Sequence, residues 1–106
     1  MDTVPNGGHY DGIVGVMSAI EVARSLDEAD YVLDHPLEIV VWSNEEGGKT
    51  GSRSYNGSVG QRDFQLESLG DKTIGEGIRY IGGNPDLVTE NTRQPGDMAA
   101  HLELHY

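Results

Sequence analysis

Residues 37–48 read Leu37-Glu38-Ile39-Val40-Val41-Trp42-Ser43-Asn44-Glu45-Glu46-Gly47-Gly48, an apolar run that ends on two adjacent carboxylates and a glycine pair. Ile39, Val40, Val41 and Trp42 in succession leave no polar face, so residues 37–43 predict a central β-strand covered on both sides. His35-Pro36 breaks the chain just before it. Charge at the edge of a core is costly unless it is paired or holds a metal. Glu45-Glu46 at the strand's exit, where α/β proteins open their sites, therefore point to chemistry. A solvated acidic turn is the plain alternative.

Upstream, residues 1–11 are rich in turn formers, with Val4-Pro5-Asn6-Gly7-Gly8 at their centre. Residues 12–30 predict a helix, because Ile13, Val16, Met17, Ile20, Ala23 and Leu26 recur at three- and four-residue spacing. Asp11 stands just before that helix, in the place of an N-cap. Downstream, residues 44–60 are Gly- and Ser-rich, with one helical turn around residues 52–56. A second, weaker helix is expected over residues 73–81, ending at Gly82-Gly83, and residues 84–96 read as a polar loop. Residues 99–106 alternate, with Leu102, Leu104 and Tyr106 on one face and His101, Glu103 and His105 on the other, which predicts a strand with one polar face. Helix, strand, helix, strand is an α/β pattern. A central strand needs neighbours on both edges. The few strands predicted leave Leu102, Leu104 and the helix stripe as exposed apolar edges, so self-association or poor solubility is expected.

The 106 residues suffice for one modest core, and 15 glycines against 36% hydrophobic residues make that core thin and the loops many. A net charge of -11, from 18 acidic against 7 basic side chains, leaves no basic patch for nucleic acid or an anionic membrane. With no cysteine, disulfides and thiolate metal sites are excluded. A metal here would take carboxylate and imidazole ligands, which suits Zn, Mn or Co. No apolar stretch nears the roughly 20 residues of a membrane span, and no signal peptide opens the chain. A cytoplasmic protein with a small-molecule substrate is the simplest expectation.

Asp11, Glu45, Glu46 and His105 thus sit at the ends of predicted elements. Neighbouring side chains on extended backbone point to opposite sides, so one of Glu45 and Glu46 could ligate a metal while the other faces substrate as a base. By spacing alone, Asp11 is equally a plain helix cap and His105 an ordinary surface histidine. His9, His35 and His101 need no role, and Arg53, Asn56 and Arg93 are weaker candidates for pairing with a substrate carboxylate.

Three blocks add specificity: Asp2-Thr3-Val4-Pro5-Asn6-Gly7-Gly8-His9-Tyr10-Asp11-Gly12, Ser43-Asn44-Glu45-Glu46-Gly47-Gly48, and Leu102-Glu103-Leu104-His105. In this order they resemble the metal-dependent M20 amidohydrolases, and most closely the branch of N-carbamoyl-L-amino-acid hydrolases, allantoate amidohydrolases and β-ureidopropionases. The resemblance implies a zinc-exopeptidase-like α/β fold with a mixed sheet. Residues 1–106 would be a piece of the metal-binding catalytic domain, without the dimerisation and lid domain. It implies two divalent ions (Zn, Mn or Co), with Asp11 bridging them, Glu46 and His105 each ligating one, and Glu45 as general base. Asp2 would be the second residue of the family's His-x-Asp motif, orienting a metal-bound histidine.

The implied reaction is hydrolysis of a linear amide C–N bond, of an N-carbamoyl or related ureido compound, by a homodimeric full-length enzyme. The chain departs from the family pattern where the motif histidine would precede Met1 and a further ligand would follow Tyr106. Lys49 also stands where the family often has Arg, and the loop between Gly48 and Gly51 is short. A peptidase or N-acyl-amino-acid deacylase of the same family stays open. So does a truncated remnant or small acidic binding domain without turnover.

Overall fold

The computed structural model describes residues 4–68 and 70–105. Their helices are α1 (Ile13–Glu28), α2 (Thr50–Tyr55) and α3 (Ile74–Tyr80), with 3-10 segments at Asp63–Gln65 and Pro85–Asn91. The chain divides into two compact units, one of residues 1–41 and 98–106, the other of residues 42–97.

In the first unit α1 forms where the apolar stripe predicts it, but none of its residues is buried. Ile13, Val16, Ala23 and Leu26 are half-buried, while Met17 and Ile20 are 55% and 45% exposed. Asp11 is not the cap. Gly12, which has no side chain to cap with, occupies that position with φ 68°. A cap residue normally carries extended backbone, and the left-handed turn at Gly12 moves Asp11 one step outside. The helix ends in a Schellman turn, with Tyr31 N–H donating to the Leu26 carbonyl and Asp30 N–H to the Asp27 carbonyl. Asp30 takes the left-handed position at φ 50° that glycine usually fills. On the exposed side Arg24 bridges Glu21 at 2.6 Å and Glu28 at 3.0 Å. The hydrogen bond from Arg24 holds the Glu21 carboxyl below its ordinary pKa.

The sheet predicted from residues 37–43 and 99–106 is not formed among the described residues, whose only β-type pairing is the antiparallel bridge of Glu67 with Thr73. A strand is a paired state, and no described segment offers either stretch a ladder. Leu37, Ile39 and Val41 are 49%, 39% and 47% exposed, so the segment expected to be covered on both sides is open, whereas Leu102 and Leu104, at 95% and 56%, are exposed as expected. The C-terminal segment passes over α1 so closely that a Cβ on Gly15 would overlap the Leu104 carbonyl oxygen.

The second unit holds the core: Val59, Phe64 and Ile74 are buried, with Ile78 and Val88 packed against them. Phe64 comes from the 3-10 segment Asp63–Gln65 and Ile74 from the first turn of α3, so these short elements are fixed by what they bury. Gly75 lets α3 approach the Phe64 backbone; a Cβ there would stand 3.0 Å from the Phe64 carbonyl oxygen. Thr73 and Glu76 close a capping box on α3, with Glu76 N–H donating to Thr73 Oγ1 and Thr73 N–H to Glu76 Oε2. The region expected as a plain loop over residues 84–96 contains the 3-10 segment Pro85–Asn91, begun by Asn84 Oδ1 accepting from Asp86 N–H. Its far end is tied to α2, because Thr92 Oγ1 donates to the Ser54 carbonyl and Arg93 N–H to the Tyr55 carbonyl. Asp63 accepts from Gly60 N–H at 2.8 Å and pairs with Arg53 at 2.8 Å.

Two expectations follow. Glycine to alanine in a helix ordinarily stabilises by about 1 kcal/mol. Gly15→Ala should instead destabilise by about 1–3 kcal/mol, because the new methyl displaces the C-terminal segment; thermal unfolding reads this, and a raised Tm would contradict it. The Gly60 N–H bond, followed by Arg53, depresses the Asp63 carboxyl below its ordinary 3.8. A depressed carboxyl stabilises above its unfolded pKa and loses that contribution as pH falls through the folded one. Stability should therefore be level above about pH 5 and decline in acid, and Asp63→Asn should flatten that decline in denaturant titrations at stepped pH.

Candidate active site

The two adjacent carboxylates lie in a loop closed by nested backbone hydrogen bonds. Lys49 N–H donates to the Glu45 carbonyl at 2.9 Å, Thr50 N–H to the Asn44 carbonyl at 3.3 Å, and Gly51 N–H to the Ser43 carbonyl at 3.0 Å. Each rung closes a longer span than the one inside it, so the loop tip at residues 45–49 is held from both sides. Side chains repeat two of the rungs. Asn44 Nδ2 donates to Thr50 Oγ1 at 2.8 Å, and Lys49 Nζ stands 3.3 Å from Glu45 Oε1.

The sequence dictates this shape through two residues that accept left-handed backbone, Asn44 at φ 55° and Lys49 at φ 56°. Asparagine does so readily and lysine at some cost. Gly47 is required for a different reason: a Cβ there would overlap Asn44 Oδ1 and Ser68 Oγ. Gly51 lies against Ser43, where a Cβ would meet the Ser43 backbone nitrogen at 2.8 Å. Glu45 and Glu46 are both half-buried, and the Glu45 side chain is 30% exposed. They are consecutive carboxylates on a fixed turn, one of them restrained by a lysine, which suits a base held at constant reach.

The remaining predicted site residues belong to the first unit or lie outside the described residues. Asp11 is half-buried at the turn before α1. His105 is exposed beside Glu103, with Nδ1 3.5 Å from Glu103 Oε1, while His101 Nε2 stands 3.9 Å from Glu103 Oε2. The predicted polar face of His101, Glu103 and His105 is therefore present without a ladder. Asp2 lies outside the described residues. In donor type, Asp11, Glu46 and His105 fit a divalent ion that takes oxygen and nitrogen ligands. Among the described residues no group of three or more His, Cys, Asp or Glu is close enough to hold a metal.

Sequence reading missed the groups that build the loop: Asn44, Thr50 and Ser68 in one polar cluster, and Trp42 edge-on to Tyr55 at 5.1 Å with Arg93 over the same ring. Asn-Glu-Glu-Gly-Gly carries turn chemistry that flags a loop, but no local signal points to Ser68. A wide groove in the first unit, lined by Leu26, Tyr31, Leu33, His35, Pro36 and Leu37 among others, contains none of the predicted site residues. Among the described residues no helix is long and apolar enough to cross a membrane.

Residues 1–102 match the family model described as Peptidase family M20/M25/M40. The chain is 33% identical over 110 residues to an N-carbamoyl-L-amino acid amidohydrolase of Geobacillus stearothermophilus, covering 99% of this chain and 27% of that protein. It is 36% identical over 112 residues to an N-carbamoyl-L-amino-acid amidohydrolase of Paenarthrobacter aurescens, covering 98% and 27%. It is 26% identical over 114 residues to a probable allantoate deiminase of Oryza sativa subsp. japonica, covering 99% and 23%. The chain thus spans about a quarter of the length of these curated relatives.

The left-handed backbone at Lys49 yields a direct expectation. Lys49→Gly should be close to neutral for stability, whereas Lys49→Val should cost about 1–2 kcal/mol, because a β-branched residue is strained there. Chemical denaturation compares the two, and equal stabilities would contradict the assigned backbone.

Proposed function

Because the chain belongs to peptidase family M20/M25/M40, whose zinc-exopeptidase-like fold the match fits, we propose that it supplies part of the catalytic domain of a metal-dependent hydrolase. Its substrates are linear amides cleaved at a C–N bond, N-carbamoyl amino acids or related ureido compounds. The observation that carries this reading is the family match over residues 1–102, which spans both the Asp11 block and the Glu45-Glu46 loop. The activity for which the relatives are named, N-carbamoyl-L-amino acid amidohydrolysis, supports the substrate class.

Asp11, Glu46 and His105 are the residues assigned to hold two divalent ions, Zn, Mn or Co, with Asp2 positioning a further histidine ligand. When bound, such ions acidify water and polarise a carbonyl. Glu45 takes the proton from the attacking water as its oxygen adds to the substrate carbon, and returns it to the leaving nitrogen as the C–N bond breaks. This shuttle needs a carboxylate of fixed reach. The closed backbone loop beneath Glu45 supports that assignment.

Residues 37–43 and 99–106 are assigned as strands of a mixed sheet, whose ladders would pair their backbone groups. A homodimer acting in the cytoplasm completes the reading.

Removing a general base costs about 10²–10⁴ in rate. With Zn, Mn or Co supplied, the protein should hydrolyse N-carbamoyl amino acids, and Glu45→Gln should lower kcat by about that factor. Glu45→Asp, shorter by one methylene, should fall between. Turnover of N-acetyl but not N-carbamoyl amino acids would refute the substrate class, and an active Glu45→Gln variant would refute the base.

A further inference from the structure

Asn44 stands at the centre of the loop that carries Glu45 and Glu46, and the mechanism leaves it without a role. Its side chain uses both ends: Nδ2 donates to Thr50 Oγ1 at 2.8 Å, and Oδ1 accepts from Ser68 Oγ at 3.0 Å. Thr50 is 7% exposed, the most buried polar residue described, so its hydroxyl is a fixed point. Ser68 is anchored independently, its N–H donating to the Lys72 carbonyl beside the Glu67–Thr73 bridge. The amide thus joins the two arms of the loop to each other and to a segment remote in sequence. Gly47 closes the cluster from above, since any Cβ there would strike both Asn44 Oδ1 and Ser68 Oγ.

We infer that Asn44 is a positioning residue: its side-chain amide, clamped between Thr50 and Ser68, sets the backbone of residues 45–47 and so the direction of the Glu45 and Glu46 carboxylates. The inference rests on the reading of Glu45 as base and deepens it. Nothing in it requires Asn44 to touch substrate or metal. Two properties make asparagine apt. It accepts the left-handed backbone found at φ 55°, and its side chain offers a donor and an acceptor on one short planar group. Aspartate would keep the bond from Ser68 and reverse the one with Thr50, whose hydroxyl would have to donate, and it would add a third carboxylate beside Glu45 and Glu46. Glycine would keep the backbone and lose both.

The test uses the whole protein with Mn or Zn supplied, and two readouts: steady-state kinetics on an N-carbamoyl amino acid, and amide hydrogen exchange at Lys49, Thr50 and Gly51. Displacing a reacting group by an ångström costs on the order of 10²-fold in rate. Asn44→Gly should therefore lower kcat by about 10–100-fold with KM changed less than about 3-fold, and should speed exchange at the three amides. Thr50→Ser, which keeps the hydroxyl, should stay near the parent in both readouts, while Thr50→Val should follow Asn44→Gly. Ser68→Ala leaves backbone and rungs intact and should give an intermediate loss, which guards against a misfolded Asn44→Gly.

Unchanged kcat and unchanged exchange in Asn44→Gly would overturn the inference, as would a Thr50→Ser variant as impaired as Thr50→Val. If the parent turns over no N-carbamoyl or N-acyl amino acid, the hydrolase reading fails on its own. Exchange then decides the clamp separately, with unaltered protection in Asn44→Gly counting against it.

Discussion

The hydrogen bond between the Asn44 side chain and Thr50 is the constraint on which the rest of the candidate site depends. Two half-buried carboxylates on consecutive residues repel each other and favour an open turn. What keeps the turn closed is the succession of bonds from Ser43–Gly51 inward to Glu45–Lys49, together with the lysine that pairs with one carboxylate. Without the amide between the arms, the left-handed backbone at residues 44 and 49 would have little to hold it. Bonds of this kind contribute about 1 kcal/mol each when formed but cost more when one buried partner is left unsatisfied. Thr50, buried in the second unit, is such a partner.

The two units differ in how they are stabilised. Residues 42–97 enclose a small core of Val59, Phe64 and Ile74 and cross-link their ends by Thr92 to Ser54 and Arg93 to Tyr55. Residues 1–41 and 98–106 enclose no buried side chain among the described residues. The apolar stripe of α1 and the alternating residues near the C-terminus show the patterning of elements with one covered face, yet Met17, Ile20 and Leu104 are largely exposed. At about 25 cal/mol per Å² of apolar surface, covering such faces would be a main source of stabilisation for this unit.

Which features were legible in the sequence follows from how local their causes are. The helix at α1 is written in the spacing of Ile13, Val16, Ile20 and Ala23, and α3 in the stretch before Gly82-Gly83; both depend on neighbours within a turn or two. The strands were not decidable in this way, because Val40 and Val41 prescribe an extended, apolar segment but not what pairs with it. Asp11 read as a cap because its side chain is the right kind. Gly12, freer in φ, took the position. The adjacent carboxylates of Glu45 and Glu46 were visible as a candidate site from charge alone, and the match to the family covers them. What aims them was hidden, since Ser68 acts on Asn44 across a stretch of chain with no periodic signal to connect the two. The 3-10 segment Pro85–Asn91 escaped because its proline and asparagine are turn residues first, and become helical only when Thr92 and Arg93 are anchored elsewhere.

Trp42 is the only tryptophan of the chain, and it sits edge-on to Tyr55 at the foot of the Ser43–Gly51 closure. Indole emission depends on solvent contact and on nearby rings, so the protein carries its own fluorophore at the base of the acidic turn. Opening of that turn, by a cation, a ligand or acid, would register in the emission spectrum of this chain without any label.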